Sequence, residues 1–64
     1  MKLKTQKVEA EIARRAMSYK EAARKAGVTE TTLKAARNGA EIRTATAGRI
    51  AAALGVSIEE IMKG

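Results

Sequence analysis

Gly27-Val28-Thr29 interrupts a stretch whose residues on both sides favour helix. Before it stand Ala22, Ala23, Arg24 and Lys25; after it come Leu33, Lys34, Ala35 and Ala36. Two short helices joined by a three-residue turn of this kind are expected to cross steeply. Gly27 permits the sharp exit, since it accepts a left-handed backbone without a Cβ clash. Val28 then drops toward the core, and Thr29 starts the next helix as its N-cap. Ala23, four residues before Gly27, is small enough to let the two helices approach closely. Ala22, Ala26, Val28, Leu33 and Ala36 fall on one side, leaving Glu30, Thr31, Lys34, Ala35 and Asn38 outside.

The same signals recur along the chain. Ser18-Tyr19-Lys20-Glu21 and Ser57-Ile58-Glu59-Glu60 read as capping boxes. Met17 with Ala22, Val28 with Leu33, and Val56 with Ile61 have the spacing of hydrophobic staples. Gly27, Gly39 and Gly55 each follow a helical stretch. These signals predict five helices, at about 6–16, 19–26, 30–37, 47–54 and 58–63, the fourth capped by Thr46. Val8, Ile12 and Ala16 would form the inner face of the first. Ile42 is the apolar residue of the longest connection, 38–46, and is expected to plug the core from the loop. No strand, repeat, linker or low-complexity segment is evident, so the reading is an all-α single domain over 1–64.

Composition narrows the chemistry. Pro, Cys, His, Trp and Phe are absent, and Tyr19 is the only aromatic residue. No disulfide is possible, and the common metal ligands are missing apart from scattered carboxylates, so no metal site or cofactor is expected. Without His or Cys, and with seven acidic residues that form no obvious paired site, the chain is not expected to be an enzyme. No apolar run approaches the roughly 20 residues that cross a membrane. The N-terminal residues do not form a secretory signal, and the expected location is cytoplasmic. Alanine supplies nearly half of the apolar residues, so the core is small. A domain of this length rarely gains more than about 3–5 kcal/mol net from one core. The formal net charge is +6, and ten of the thirteen Lys and Arg residues lie within residues 1–37. A polyanionic partner is the first expectation for such a chain.

The segment MSYKEAARKAGVTETTLKAARNG, residues 17–39, followed by IRTATAGRIAAALGVSIEEI, residues 42–61, resembles the lambda-repressor-like, Cro-type helix-turn-helix DNA-binding domains. That group includes regulators of the xenobiotic-response-element type. The likeness covers about residues 8–62 and rests on an ordered combination: Ala then Gly four later, Asn-Gly after the third helix, and Ile-Ala-Ala-Ala-Leu-Gly-Val-Ser at 50–57. It implies a compact five-helix domain whose helix-turn-helix spans about 18–38. Three positions depart from the pattern. Tyr19 stands where Gln is frequent. Arg37 stands where Glu often pairs with the first helix; here it has Glu9 or Glu11 as partners, or adds to the basic face. The end of the first helix, 13–17, lacks the usual Gly.

The resemblance implies that the third helix enters the major groove of double-stranded DNA, with Thr29, Glu30, Thr31, Lys34 and Ala35 as the base-reading set. Thr31 can hydrogen-bond to several bases, Glu30 can accept from a cytosine amino group, and Ala35 can meet a thymine methyl. Two roles compete for Glu30, since an acid in the first turn also favours the helix dipole. Lys34 can meet a phosphate instead of a base. Phosphate contacts are expected from Tyr19, Asn38, Arg43, Thr44 and Thr46. Gly48 either lets backbone N–H groups near a phosphate or lets two helices pack closely. Lys2, Lys4 and Lys7 stand at a terminus expected to fray in solvent, with a basic arm along DNA as the other reading. Arg14, Arg15, Arg24 and Lys25 are read as solvated faces. Ile58, Ile61 and Met62 are the candidate dimer surface, unless Ile58 and Ile61 belong to the core.

The function expected on this basis is that of a small sequence-specific transcriptional regulator, a repressor occupying a palindromic operator as a homodimer. Its size resembles that of prophage or mobile-element regulators. The alternative is an antitoxin or adaptor that uses the same fold to grip a protein. No small-molecule ligand is evident.

Overall fold

The structure, a computed structural model, describes residues 1–63. Five helices follow one another: α1 (Thr5–Arg14), α2 (Tyr19–Ala26), α3 (Glu30–Arg37), α4 (Thr44–Leu54) and α5 (Ile58–Ile61). α2 packs against α3 and α4, α1 against α3 and α5, and α4 against α5. They enclose a core of Leu33, Ile50, Leu54, Ile61, Val8 and Ile12, with alanines 22, 23, 26, 36, 47 and 51 at the helix crossings. The alanines let helices that share so few large side chains come close enough to exclude water. Ile42 is half-buried against this core, as its position in the loop suggests.

α2 and α3 have the bounds expected from their caps. Ser18 Oγ accepts the Glu21 N–H at 3.1 Å while Ser18 N–H donates to Glu21 Oε1 at 3.3 Å, so the capping box closes. Thr29 Oγ1 accepts the Thr32 N–H at 3.1 Å. The box at Ser57 does not form. Its hydroxyl makes only a long 3.4 Å contact with Glu60 Oε1, and no backbone N–H reaches it.

Four helices leave by one motif. A residue just past the helix end donates its N–H five residues back: Met17 to Ile12, Val28 to Ala23, Ala40 to Ala35 and Val56 to Ala51, at 3.0 to 3.2 Å. The residue before each donor is left-handed. In three cases it is Gly27, Gly39 or Gly55; in the fourth it is Ala16, with φ 53°. This exit ends α1 at Arg14, two residues short of the expected bound, and leaves Ala16 exposed rather than on the inner face.

Three further expectations are corrected. α4 begins at Thr44 with Arg43 as N-cap, so Thr46 lies inside the first turn and caps nothing. Nothing between Ile42 and Thr46 prevents helix, and Ile42, once seated, lets it start at once. α5 stops at Ile61, because Met62 turns extended and pairs with Leu3 in an antiparallel bridge. The N-terminus is therefore tied down rather than frayed. Lys4 N–H donates to Ile61 O at 2.7 Å, and Lys63 N–H donates to Lys2 O at 2.8 Å. Met1 exchanges two 2.8 Å bonds with Ile42, and its amine also meets Glu41 Oε2. Leu3 is only 1 % exposed and belongs to the core.

Candidate nucleic-acid interface

Burying Leu33 and Ala36 on one side of α3 leaves Glu30, Thr31, Lys34 and Asn38 exposed on the other, with Ala35 half-exposed between them. This is the face that the sequence predicts. Its polar groups are not equally available. Thr29 Oγ1 accepts from the Thr32 backbone and donates to Thr32 Oγ1 at 2.8 Å. Its hydroxyl thus serves the helix start first. Glu30 and Lys34 pair at 3.2 Å with about half of each side chain exposed. An exposed pair of this spacing contributes about 0.3–0.5 kcal/mol, little enough that either partner can leave it for a base edge or a phosphate. Thr31 enters no side-chain hydrogen bond among the described residues, which leaves its hydroxyl the free donor and acceptor at the head of α3.

A shallow cleft lined by Thr32, Glu41, Ile42, Arg43 and Thr46 separates α3 from the start of α4. α4 begins with no side-chain cap and no acidic residue in its first turn, so its first N–H groups and positive dipole end remain open. Arg43 and Thr44 are exposed beside them, and Thr46 is half-exposed. A Cβ built on Gly48 would meet no atom within 4 Å. Close helix packing therefore does not explain this glycine. It leaves the surface of the second turn bare, so a group from outside can approach the backbone just past the helix start.

At the head of α2, Tyr19 is half-buried, and the Arg37 guanidinium lies 5.2 Å from its ring centroid. Arg37 also donates to Glu9 Oε2 at 3.0 Å, so Glu9 rather than Glu11 is its partner. The Arg37 Nε is buried without a hydrogen-bond partner. Arg37 thus links α1, the start of α2 and the end of α3, and does not add to a free basic face.

Glu11 is the buried charged residue of α1. Arg15 Nη1 donates to its Oε1 at 2.6 Å and to its backbone carbonyl at 3.1 Å, while Lys7 and Arg14 stand at 3.3 and 3.4 Å. The hydrogen bond from Arg15 leads in holding this carboxyl below the ordinary glutamate range. Burial opposes it, and Lys7 and Arg14 reinforce it. Arg15 is therefore engaged rather than simply solvated. The N-terminal amine likewise holds Glu41 below that range.

Of the three residues expected at a dimer surface, Ile61 is 0 % exposed and offers nothing to a second copy. Ile58 packs partly against the core, and Met62 is half-exposed. Among the described residues no large apolar side chain is exposed, and no helix is long and apolar enough to cross a membrane. Neither the Arg37–Tyr19 stack nor the open space over Gly48 has a sequence signature. The sequence offers Lys2, Lys4 and Lys7 as a basic group, but not the place of Lys63 beside Lys2, which comes from pairing of the two chain ends.

No curated protein and no solved structure matches the chain. The Helix-turn-helix family model matches residues 9–61. The match takes in the α2–α3 turn, the exposed face of α3 and the open start of α4. The chain belongs to this family, the lambda-repressor- and Cro-like helix-turn-helix domains of DNA-binding regulators.

Proposed function

We propose that the protein is a sequence-specific repressor that acts by occupying an operator in double-stranded DNA. The observation that carries this reading is the exposed polar face of α3 beside a helix start left uncapped, with no acid in its first turn and with Gly48 bare in the turn that follows. α3 lies in the major groove. Thr31 reads a base edge, Ala35 meets a thymine methyl, and Glu30 and Lys34 exchange their mutual pair for DNA groups. Thr29 holds the head of α3 in place and reaches a base only with what its cap leaves over. The first N–H groups of α4, with Arg43, Thr44 and Thr46, grip one phosphate region. Tyr19 and Asn38 contact the backbone near the two ends of the motif.

One unit of this size reads few base pairs, so two copies bind a palindromic site with half-sites one helical turn apart. Ile58 and Met62 form the apolar part of that contact, while Ile61 stays in the core. The protein works in the cytoplasm, and its origin is a prophage or mobile element. The test is selection from random duplex DNA at about 0.15 M salt, near physiological ionic strength, followed by sequencing of the bound pool. An enriched inverted repeat is expected. A folded protein that enriches no sequence overturns the reading and directs the search to a protein partner.

A further inference from the structure

A groove on the N-terminal side of the molecule is rimmed by Lys2, Lys4, Lys7 and Lys63, and Asn38 and Gly39 at the end of α3 line its other edge. The lysines are gathered by backbone pairing, not by salt bridges. The Leu3–Met62 bridge sets Lys2 opposite Lys63, and their backbones are joined at 2.8 Å. Like charges directly opposed across a ladder repel. Lys7 pairs with Glu11, whereas Lys2, Lys4 and Lys63 form no salt bridge among the described residues. The same lysines crowd the start of α1, which has Lys4 as its N-cap, no side-chain cap and no acid in its first turn. The positive end of that helix adds to the repulsion. Glu11 offsets Lys7 and Glu41 lies within electrostatic reach of Lys2, but Lys2, Lys4 and Lys63 keep no ion-pair partner among the described residues, so the face stays strongly positive. Features that work against folding in this way mark a surface shaped for a partner.

We infer that this groove holds a second stretch of the sugar–phosphate backbone of the duplex that α3 engages. The inference rests on the DNA-binding reading above. Its partner is a polyanion by charge, and the position of Asn38 and Gly39 selects DNA. The recognition helix ends in the groove, so a duplex seated on α3 runs a phosphate strand past its trailing end. A segment ordered by Leu3 presents its lysines without the ordering cost that a frayed arm would pay on binding.

The test compares two double variants that each remove two charges. K2Q/K63Q removes two of the four lysines on the groove. R24Q/K25Q removes charge from the exposed outer side of α2. Affinity for one duplex is measured across a salt series. Each phosphate contact accounts for a slope of about 0.9 in log K against log salt. K2Q/K63Q is expected to lower the slope by about two units, with the preferred sequence unchanged, and R24Q/K25Q is expected to leave the slope near that of the wild type. Melting without DNA separates a structural role: K2Q/K63Q should melt at or above the wild-type temperature, because it relieves repulsion. Equal slopes for wild type and K2Q/K63Q overturn the groove assignment alone. Equal losses in both variants also overturn it, reducing the effect to net charge. A wild-type protein that shows no salt-dependent duplex binding overturns the DNA reading and the groove together.

Discussion

Ala16 is the alanine that does a glycine's work, and replacing it with glycine should stabilise the protein. Its φ of 53° places it in the left-handed region, where an L-residue with a Cβ is disfavoured by roughly 1–2 kcal/mol. Its N–H donates to Ala13 O at 2.9 Å, and the following Met17 N–H donates to Ile12 O at 3.2 Å, so the exit of α1 forces the conformation. The side chain is exposed, so losing the methyl group sacrifices little burial. Glycine has more freedom to lose on folding, which takes back about 0.4–1 kcal/mol. The balance is a gain of about 0.5–1 kcal/mol, or a rise of roughly 2–8 °C in melting temperature for a domain of this length. The reverse exchange provides the control. Gly27 has φ 72° in the same motif, and a Cβ there would touch nothing within 4 Å, so Gly27→Ala carries only the conformational cost. It should lower stability by about 1 kcal/mol. Urea and thermal melts followed by circular dichroism measure both. Ala16→Gly melting at or below the wild-type temperature while Gly27→Ala proves neutral would refute the claim that these exits govern stability.

Other perturbations separate folding from binding. Gly48→Ala should raise stability by about 0.8–1 kcal/mol through helix propensity, because its Cβ meets open space; duplex affinity should fall in the same protein, and a titration that finds affinity unchanged removes Gly48 from the interface. Leu3→Ala should cost about 2–5 kcal/mol, comparable to the whole stability of so small a domain, and its melt should show a largely unfolded population at 37 °C; a mild effect would mean that the terminal bridge carries little of the fold. Acid should destabilise the protein with a defined sign. Glu11 and Glu41 are held below the ordinary glutamate range when folded, so the unfolded chain binds more protons between the two values. The stability they contribute is fully present above the unfolded value of about 4.3 and is lost as pH falls through the folded values; Glu11→Gln should flatten this loss in urea midpoints measured across acid pH. Thr31→Ala should cost about 1–3 kcal/mol on the preferred duplex and relax preference at one base position; retained preference in competition binding would exclude Thr31 from readout.

Local chemistry explains which parts of the fold can be read directly from the residues. Ser18 with Glu21, Thr29, Gly27 and Gly39 are short-range signals, and α2 and α3 begin and end where those residues place them. The break at Gly27-Val28-Thr29 is such a case, and it lies within the motif that the family model matches. The departures arise where a distant partner decides. Ala16 has no glycine signature, and its conformation follows from the way α1 must leave for α2. α5 ends early because Met62 finds Leu3, a residue from the opposite end of the chain with a lysine on either side. Ser57 has the spacing of a capping box, yet the box stays open. The exposed face of α3 follows from the period of Leu33 and Ala36. The partner of Arg37 and the space over Gly48 depend on how other helices cross, and no residue pattern encodes them locally.

The central claim is that α3 and the start of α4 together form the DNA-contacting surface. The measurement that tests it most directly is an NMR titration of the isotope-labelled protein with a duplex recovered by selection, following every backbone amide. The account predicts the largest shifts at Thr31, Lys34 and Ala35 and at the amides of Thr44, Ala45 and Thr46, with smaller ones at Tyr19. Shifts confined to α5 or the outer side of α2, with α3 unmoved, would contradict it.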